Sequence, residues 1–150
     1  MGKVIIIVDN EKDAETIEEG VKILEELKIT FDVKIISGMD NLKLIDELID
    51  FSERKEIDVI IVFNRISTHL PGIIASKTII PVIGVPLPNK NVQTADYLFS
   101  IIQMPEGVPV ACMSFGKAGI KNATLFAAEI ISRKEPNLKE KLKQLKNNFI

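Results

Sequence analysis

The sequence predicts a three-layer α/β/α domain, in which helices cover both faces of one doubly wound parallel sheet. Short runs of β-branched and other apolar residues alternate with amphipathic stretches of helical periodicity along the chain. The strand runs are continuously apolar, which is typical of parallel strands buried on both faces. Each run is followed by a helical stretch, as strand–helix–strand units require. We therefore expect a single α/β domain.

Five buried-strand runs are predicted from continuous apolar or β-branched sequence. They span residues 3–9, 31–37, 58–63, 81–86 and 109–115. The last of them contains the single cysteine, Cys112, which cannot form an internal disulfide. We expect it to be a small buried apolar side chain.

Helices are predicted after these strands from the spacing of their apolar residues. They span residues 14–28, 41–55, 119–133 and 136–148, with a further helix ending at about Gln103. Asp13 and Thr94 are expected as N-caps, and Pro71 and Pro136 suit the first turn of a helix. The inward faces of the first two helices are predicted to contain Ala14, Ile17, Val21, Leu24 and Leu27, and Leu44, Ile45, Leu48 and Phe51.

Composition excludes several classes of protein. The length of 150 residues indicates one domain, and the net charge of −2 gives no indication of a nucleic-acid or membrane partner. The N-terminal apolar run 4–8 is too short for a membrane span, so a cytoplasmic location is expected. One histidine and one cysteine form no metal-ligand pattern, and no metal is expected.

The C-terminal segment 134–150 differs from the α/β domain predicted over residues 1–133. It is rich in lysine, and Leu138, Leu142 and Leu145 form a narrow apolar stripe at helical spacing. The stripe needs an apolar partner, which is either the chain's own domain or a neighbouring subunit. The pattern of residues leaves both alternatives open.

Ligands of doubly wound sheets bind outside the carboxyl ends of the strands. This rule selects the loops 9–13, 37–41, 63–69, 86–93 and 115–119, and the only histidine, His69, lies on the third of them. Two common site types are disfavoured. A phosphate-accepting receiver domain needs an aspartate where Phe63 and Asn64 stand, and a dinucleotide-binding domain needs GxGxxG where the chain has DNEKDA.

Three blocks of the C-terminal half resemble one known family closely. They are HLPGIIASKTIIPVIGVP (69–86), ADYLFSIIQMPEGVPVA (95–111) and GKAGIKNATLFAAEI (116–130). Their order and spacing are similar to those of the small phosphoribosylaminoimidazole carboxylase catalytic subunit of bacteria and archaea, also named 5-(carboxyamino)imidazole ribonucleotide mutase. The resemblance covers the whole chain and is strongest in this half.

The resemblance implies a flavodoxin-like fold and a role in purine biosynthesis. The family moves a carboxylate from the exocyclic nitrogen of an aminoimidazole ribonucleotide to a ring carbon, and it uses no metal or organic cofactor. It also implies a homo-octamer in which C-terminal helices reach across subunits. A neighbouring subunit would then be the partner of the leucine stripe.

The substrate loops depart from the family pattern. The family has GSDSD where this sequence has DNEKD (9–13), and only Asp13 is unchanged. The family has SAHR where this sequence has SGMD (37–40), so Met39 replaces its general acid/base histidine and Asp40 its phosphate-contacting arginine. Removing a positioned acid/base typically lowers the rate by a factor of about 10² to 10⁴. The family's GAGGAA is replaced by the bulkier FNRIST (63–68) before the matching His69.

These loops provide the candidate site residues. His69 is the candidate catalytic residue, because histidine is the side chain that ordinarily titrates near neutral pH; otherwise it contacts ligand or caps its own loop. Arg65 is hypothesised to hold an anionic ligand group in place of the lost arginine, or else to be a solvated loop charge. The other candidate substrate-binding residues are Asn10, Glu11, Asp13, Ser37, Met39, Asp40 and Asn64.

Three hypotheses of function follow from this pattern. The chain is a diverged mutase or carboxylase that uses His69, with a ribonucleotide as its ligand. Alternatively, it is a homologue that acts on another small anionic or nucleotide-like compound, with Arg65 and Lys12 supplying positive charge. The third hypothesis is a non-catalytic assembly that binds a ligand or a partner protein.

Overall fold

The computed structural model describes residues 1–37, 42–65, 69–88 and 94–149. Its strands are β1 Lys3–Val8, β2 Thr30–Ile35, β3 Val59–Asn64, β4 Val82–Pro86 and β5 Ala111–Cys112. They form a parallel sheet with the order β2-β1-β3-β4-β5. This is the flavodoxin-like strand order, and it confirms the predicted fold class.

Helices follow the strands and cover both faces of the sheet. They are α1 Glu11–Thr16, α2 Glu18–Glu26, α3 Leu42–Arg54, α4 Leu70–Ala75, α5 Thr94–Ile102, α6 Gly116–Ser132 and α7 Pro136–Asn147. Among the described residues, none of these helices has the length and apolar character needed to cross a bilayer.

The core lies on the two faces of the sheet, because successive side chains of a strand point in opposite directions. On one face, Val4, Ile6 and Val8 of β1 pack in a cluster with residues of α2, α6 and α7. On the other face, Ile5 and Ile7 pack in a cluster with residues of α3 and α4. Since β1 and β3 are at the centre of the sheet, their apolar side chains are buried on both faces.

The first predicted helix is two helices in the structure. The segment 14–28 was expected to be continuous, but α1 ends at Thr16 and α2 begins at Glu18. The expected N-cap was also wrong: Asn10 caps α1, and Asp13 lies inside its first turn and is buried. An asparagine at the N-cap serves as well as an aspartate, so the sequence did not distinguish the two starting points.

Several further predictions need correction. The predicted strand 109–115 is paired only over Ala111–Cys112, and α6 begins at Gly116, three residues before its predicted start. Leu44 was expected to face inward but is exposed on α3, and Ala14 is exposed on α1. Cys112 is half-buried, since it lies on the edge strand β5 with sheet neighbours on one side only.

The C-terminal helix α7 packs on α6 of the same chain. Leu138, Leu142 and Leu145 are buried in the core cluster that α6 shares. The predicted leucine stripe therefore has a partner within its own domain. Packing of this helix across subunits stays a prediction.

Candidate functional site

Three connections meet at the carboxyl edge of the sheet because their strands are neighbours. β1 pairs with β3 and β3 pairs with β4, with Val8 beside Phe63 and Asn64 beside Pro86 at their ends. The chain leaving each of these strands therefore begins within reach of the next. This is the edge where ligands of the fold bind.

The start of α1 is held by a reciprocal pair of hydrogen bonds. The Asn10 Oδ1 atom accepts from the Asp13 backbone N–H at 3.2 Å, and Asn10 Nδ2 donates to Asp13 Oδ2 at 2.9 Å. The first bond is an N-cap bond to a backbone N–H of the first turn, and the second joins the capping side chain to the Asp13 carboxylate. The contact orients the Asp13 carboxylate and leaves its second oxygen for another donor.

Arg65 supplies that donor from the end of β3. Its Nε and Nη2 atoms lie 2.9 and 2.7 Å from Asp13 Oδ1, and its Nη1 donates to the carbonyl oxygen of Pro88 beyond β4. The Arg65 backbone N–H also donates to Oδ2 of the buried Asp9. One residue thus connects the chain segments that follow β1, β3 and β4.

His69 lies at the other end of the connection that Arg65 begins. Its backbone occupies the N-cap position of α4, where its carbonyl oxygen accepts from the Ile73 N–H at 3.0 Å. Its side chain makes no capping hydrogen bond and is exposed. The imidazole therefore does not cap α4, and its role as a cap of its own loop stays a prediction, because residues 66–68 lie outside the described part of the chain. The backbone is fixed while the ring faces solvent at the ligand edge.

The remaining candidate residues are placed in different environments. Glu11 and Ser37 are exposed, whereas Asn64 is fully buried at the end of β3. Met39 and Asp40 lie outside the described residues. The roles of all these residues stay predictions.

Sequence analysis missed two members of this cluster, Asp9 and the Pro88 carbonyl group. The opposite charges of Asp13 and Arg65 on two strand-end loops were a usable signal, because the flavodoxin-like strand order brings those loops together. A backbone carbonyl leaves no sequence signal. Within the described ranges, no group of three histidine, cysteine or acidic side chains is arranged to hold a metal ion.

Comparison with known proteins identifies the family. The family model described as AIR carboxylase matches residues 3–149. The chain belongs to the AIR carboxylase family. This membership confirms the resemblance that was based on the three C-terminal sequence blocks.

Curated relatives of this AIR carboxylase family member are similar over nearly the whole chain. The N5-carboxyaminoimidazole ribonucleotide mutase of Pyrococcus abyssi is 41% identical over 149 residues, which cover 99% of this chain and 84% of that protein. The mutase of the same name from Bacillus subtilis is 41% identical over 143 residues, which cover 95% and 88%.

A solved structure supports the fold of this family member independently. The crystal structure of Treponema denticola PurE superposes with a TM-score of 0.85 and 21% sequence identity, over 99% of this chain and 91% of that one. At this identity the likeness establishes the shared fold.

Proposed function

We propose that this chain is an N5-carboxyaminoimidazole ribonucleotide mutase of purine biosynthesis, with its ligand bound at the carboxyl edge of the sheet. The observation that carries the proposal is the 41% identity to the Pyrococcus abyssi mutase over 99% of this chain. The meeting of the β1, β3 and β4 connections at that edge supports the location. The exposed residues Glu11 and Ser37 are proposed as ligand contacts there.

His69 is proposed to transfer the proton in this reaction. The N–C bond to the carboxylate breaks, a C–C bond to the ring carbon forms, the nitrogen gains a proton and the ring carbon loses one. One imidazole can donate the first proton and accept the second, so the proton count balances on a single side chain. Its exposed ring on a fixed backbone supports this role, and Met39 at the family's histidine position offers no titratable group.

The experiment uses N5-carboxyaminoimidazole ribonucleotide and follows the ring-carboxylated product by ultraviolet absorbance. Wild type is expected to exceed the spontaneous rate, and His69→Asn is expected to lose a factor of about 10² to 10⁴ in kcat, as for a positioned acid/base. Met39→His tests whether a second imidazole raises the rate. Lys43→Ala, a change at an exposed position of α3, is the control for the preparation of variant proteins and is expected to keep the wild-type rate.

Two outcomes contradict different parts of the proposal. Turnover that is unchanged in His69→Asn removes His69 from the mechanism but keeps the mutase activity. A wild type that does not exceed the spontaneous rate refutes the activity. The alternative is then a homologue that acts on or binds a different small anionic or nucleotide-like ligand, which Asp40 in place of the family's phosphate-contacting arginine favours. Mass spectrometry of small molecules released from the purified protein would identify such a ligand.

A homo-octamer is proposed from the family resemblance. Exposed apolar side chains support an interface between copies: Ile79 is 98% exposed, and Phe99 and Ile102 on α5 are each about half exposed. Light scattering of the purified protein tests the assembly, and a monomer contradicts it. The expected cytoplasmic location stays a prediction.

A further inference from the structure

We propose that Arg65 is a positioning residue, which holds together the chain segments that follow β1, β3 and β4 and so fixes the start of the connection that leads to His69. The inference rests on the proposed mutase function. It differs from the hypothesis drawn from sequence, in which Arg65 contacts an anionic ligand group directly. Where the guanidinium donates its hydrogen bonds decides between the two roles.

All three nitrogens of the Arg65 guanidinium donate to acceptors within the protein. Nε and Nη2 both reach Asp13 Oδ1, at 2.9 and 2.7 Å, and Nη1 reaches the Pro88 carbonyl oxygen. The planar fork of an arginine suits several fixed acceptors at once, which a lysine ammonium on a flexible stem does not. Arg65, just after β3, therefore joins the chain segments that follow β1 and β4.

The burial of Asp13 favours a lasting pair. The Asp13 side chain is 2% exposed, whereas the Arg65 side chain is 30% exposed. An anion that took the guanidinium away would remove both hydrogen bonds to Asp13 Oδ1 and leave the buried carboxylate with the Asn10 amide bond to Oδ2. Removing one partner of a buried pair is strongly unfavourable because the other charge stays desolvated. A ligand anion thus competes poorly with Asp13 for this arginine.

The position of Arg65 in the chain connects it to catalysis. Arg65 begins the connection between β3 and α4, and His69 ends it at the N-cap of α4. The near end is fixed by the Arg65 contacts, and the far end by the His69 carbonyl bond and by the buried Leu70 and Pro71. Fixing both ends restricts where the imidazole can go. A catalytic group displaced by about 1 Å can lose about 10²-fold in rate.

The test separates positioning from ligand contact by measuring kcat and KM in the mutase assay. Positioning predicts that Arg65→Ala lowers kcat by about 10- to 100-fold, while KM and the inhibition constant of inorganic phosphate change by less than about threefold. A group that binds ground state and transition state equally would instead raise KM and leave kcat unchanged. Arg65→Lys, which can reach Asp13 but not Pro88 at the same time, is expected to fall between wild type and Arg65→Ala.

Asp13→Asn provides the second arm. Positioning predicts a loss in kcat like that of Arg65→Ala, and a double variant no worse than either single one, because both changes break the same contact. Direct ligand contact predicts that Asp13→Asn strengthens phosphate inhibition, because the arginine charge is no longer neutralised. That result, or a rise in KM with kcat retained in Arg65→Ala, overturns the proposal.

Hydrogen exchange gives a readout that does not depend on turnover. The amides of Asp13 and Leu87, on either side of Arg65, are expected to lose protection in Arg65→Ala and to keep it in Arg54→Ala, a matched change at the exposed end of α3. Unchanged protection in both variants overturns the positioning role. An inactive wild type refutes the mutase function instead, so the two failures are distinguishable. If Arg65→Ala does not fold, Arg65→Gln replaces it in every arm.

Discussion

Truncating Leu142 on α7 tests whether the C-terminal helix stabilises its own domain. Leu142 is 5% exposed and belongs to the core cluster that includes residues of α6. Leu142→Ala keeps a strong helix-forming residue at this position, so its effect comes from packing rather than from helix propensity. The neighbouring change Gln144→Ala, at an exposed position of the same helix, is the matched control.

The expected loss follows from the burial of Leu142. Removing three buried carbon groups at about 0.8 kcal/mol each lowers the free energy of unfolding by about 2.4 kcal/mol. A cavity would add to this loss, but a helix near the end of the chain can shift to fill it, so we expect about 2–3 kcal/mol, the low end for such truncations. For a domain of this size the thermal midpoint should then fall by about 5–10 °C. Gln144→Ala should stay within about 0.5 kcal/mol of wild type.

Urea and thermal unfolding measured by circular dichroism at two protein concentrations provide the assay. A Leu142→Ala effect that is the same at both concentrations supports docking on the chain's own α6. An effect that becomes smaller on dilution indicates packing across subunits, because the wild type then loses the association that stabilises it. A loss no larger than that of Gln144→Ala would refute the argument that burial of this side chain stabilises the fold.

Two further predictions concern single positions. At Gly119 an added Cβ would lie 1.6 Å from the Ser114 carbonyl oxygen, so Gly119→Ala should lower the free energy of unfolding by about 3 kcal/mol. Gly72→Ala is the comparison, because its added Cβ meets the flexible side chain of Met104, and it should lower the free energy of unfolding by less. Equal urea midpoints for the two variants would contradict this reasoning. Burial raises the pKa of the Cys112 thiol, so its thiolate forms at higher pH than that of free cysteine. Alkylation of Cys112 by iodoacetamide at pH 8 should therefore be slower than alkylation of free cysteine. An equal or faster rate would contradict the effect of burial on this thiol.

The sequence predicted the strands at the centre of the sheet more accurately than the elements at its margins. β1 and β3 are buried on both faces, so their continuous apolar runs had one structural explanation. β2 and β5 lie at the edges, where side chains face solvent: Val33 and Ile35 are exposed, and β5 pairs over two residues. Edge positions carry a weaker pattern, and their boundaries depend on the neighbouring strand.

The candidate site shows the same division. The rule that ligands bind at the carboxyl edge located the loops, and family motifs drew attention to His69 and Arg65. Neither indicated that Asp13 is buried or that Arg65 is already paired with it. The charge pattern alone fitted an arginine that binds a ligand anion equally well.

The sequence by itself determined the fold class and the family, since these follow from local periodicity and from blocks of ordered motifs, and it indicated the edge of the sheet where the candidate site is proposed. Only the tertiary structure decided the partners of Arg65. Its contact with Asp13 joins positions 52 residues apart, and its contact with Pro88 uses a backbone carbonyl that any residue has. Such contacts depend on strand order and on side-chain direction in space, and a local pattern of residue types records neither.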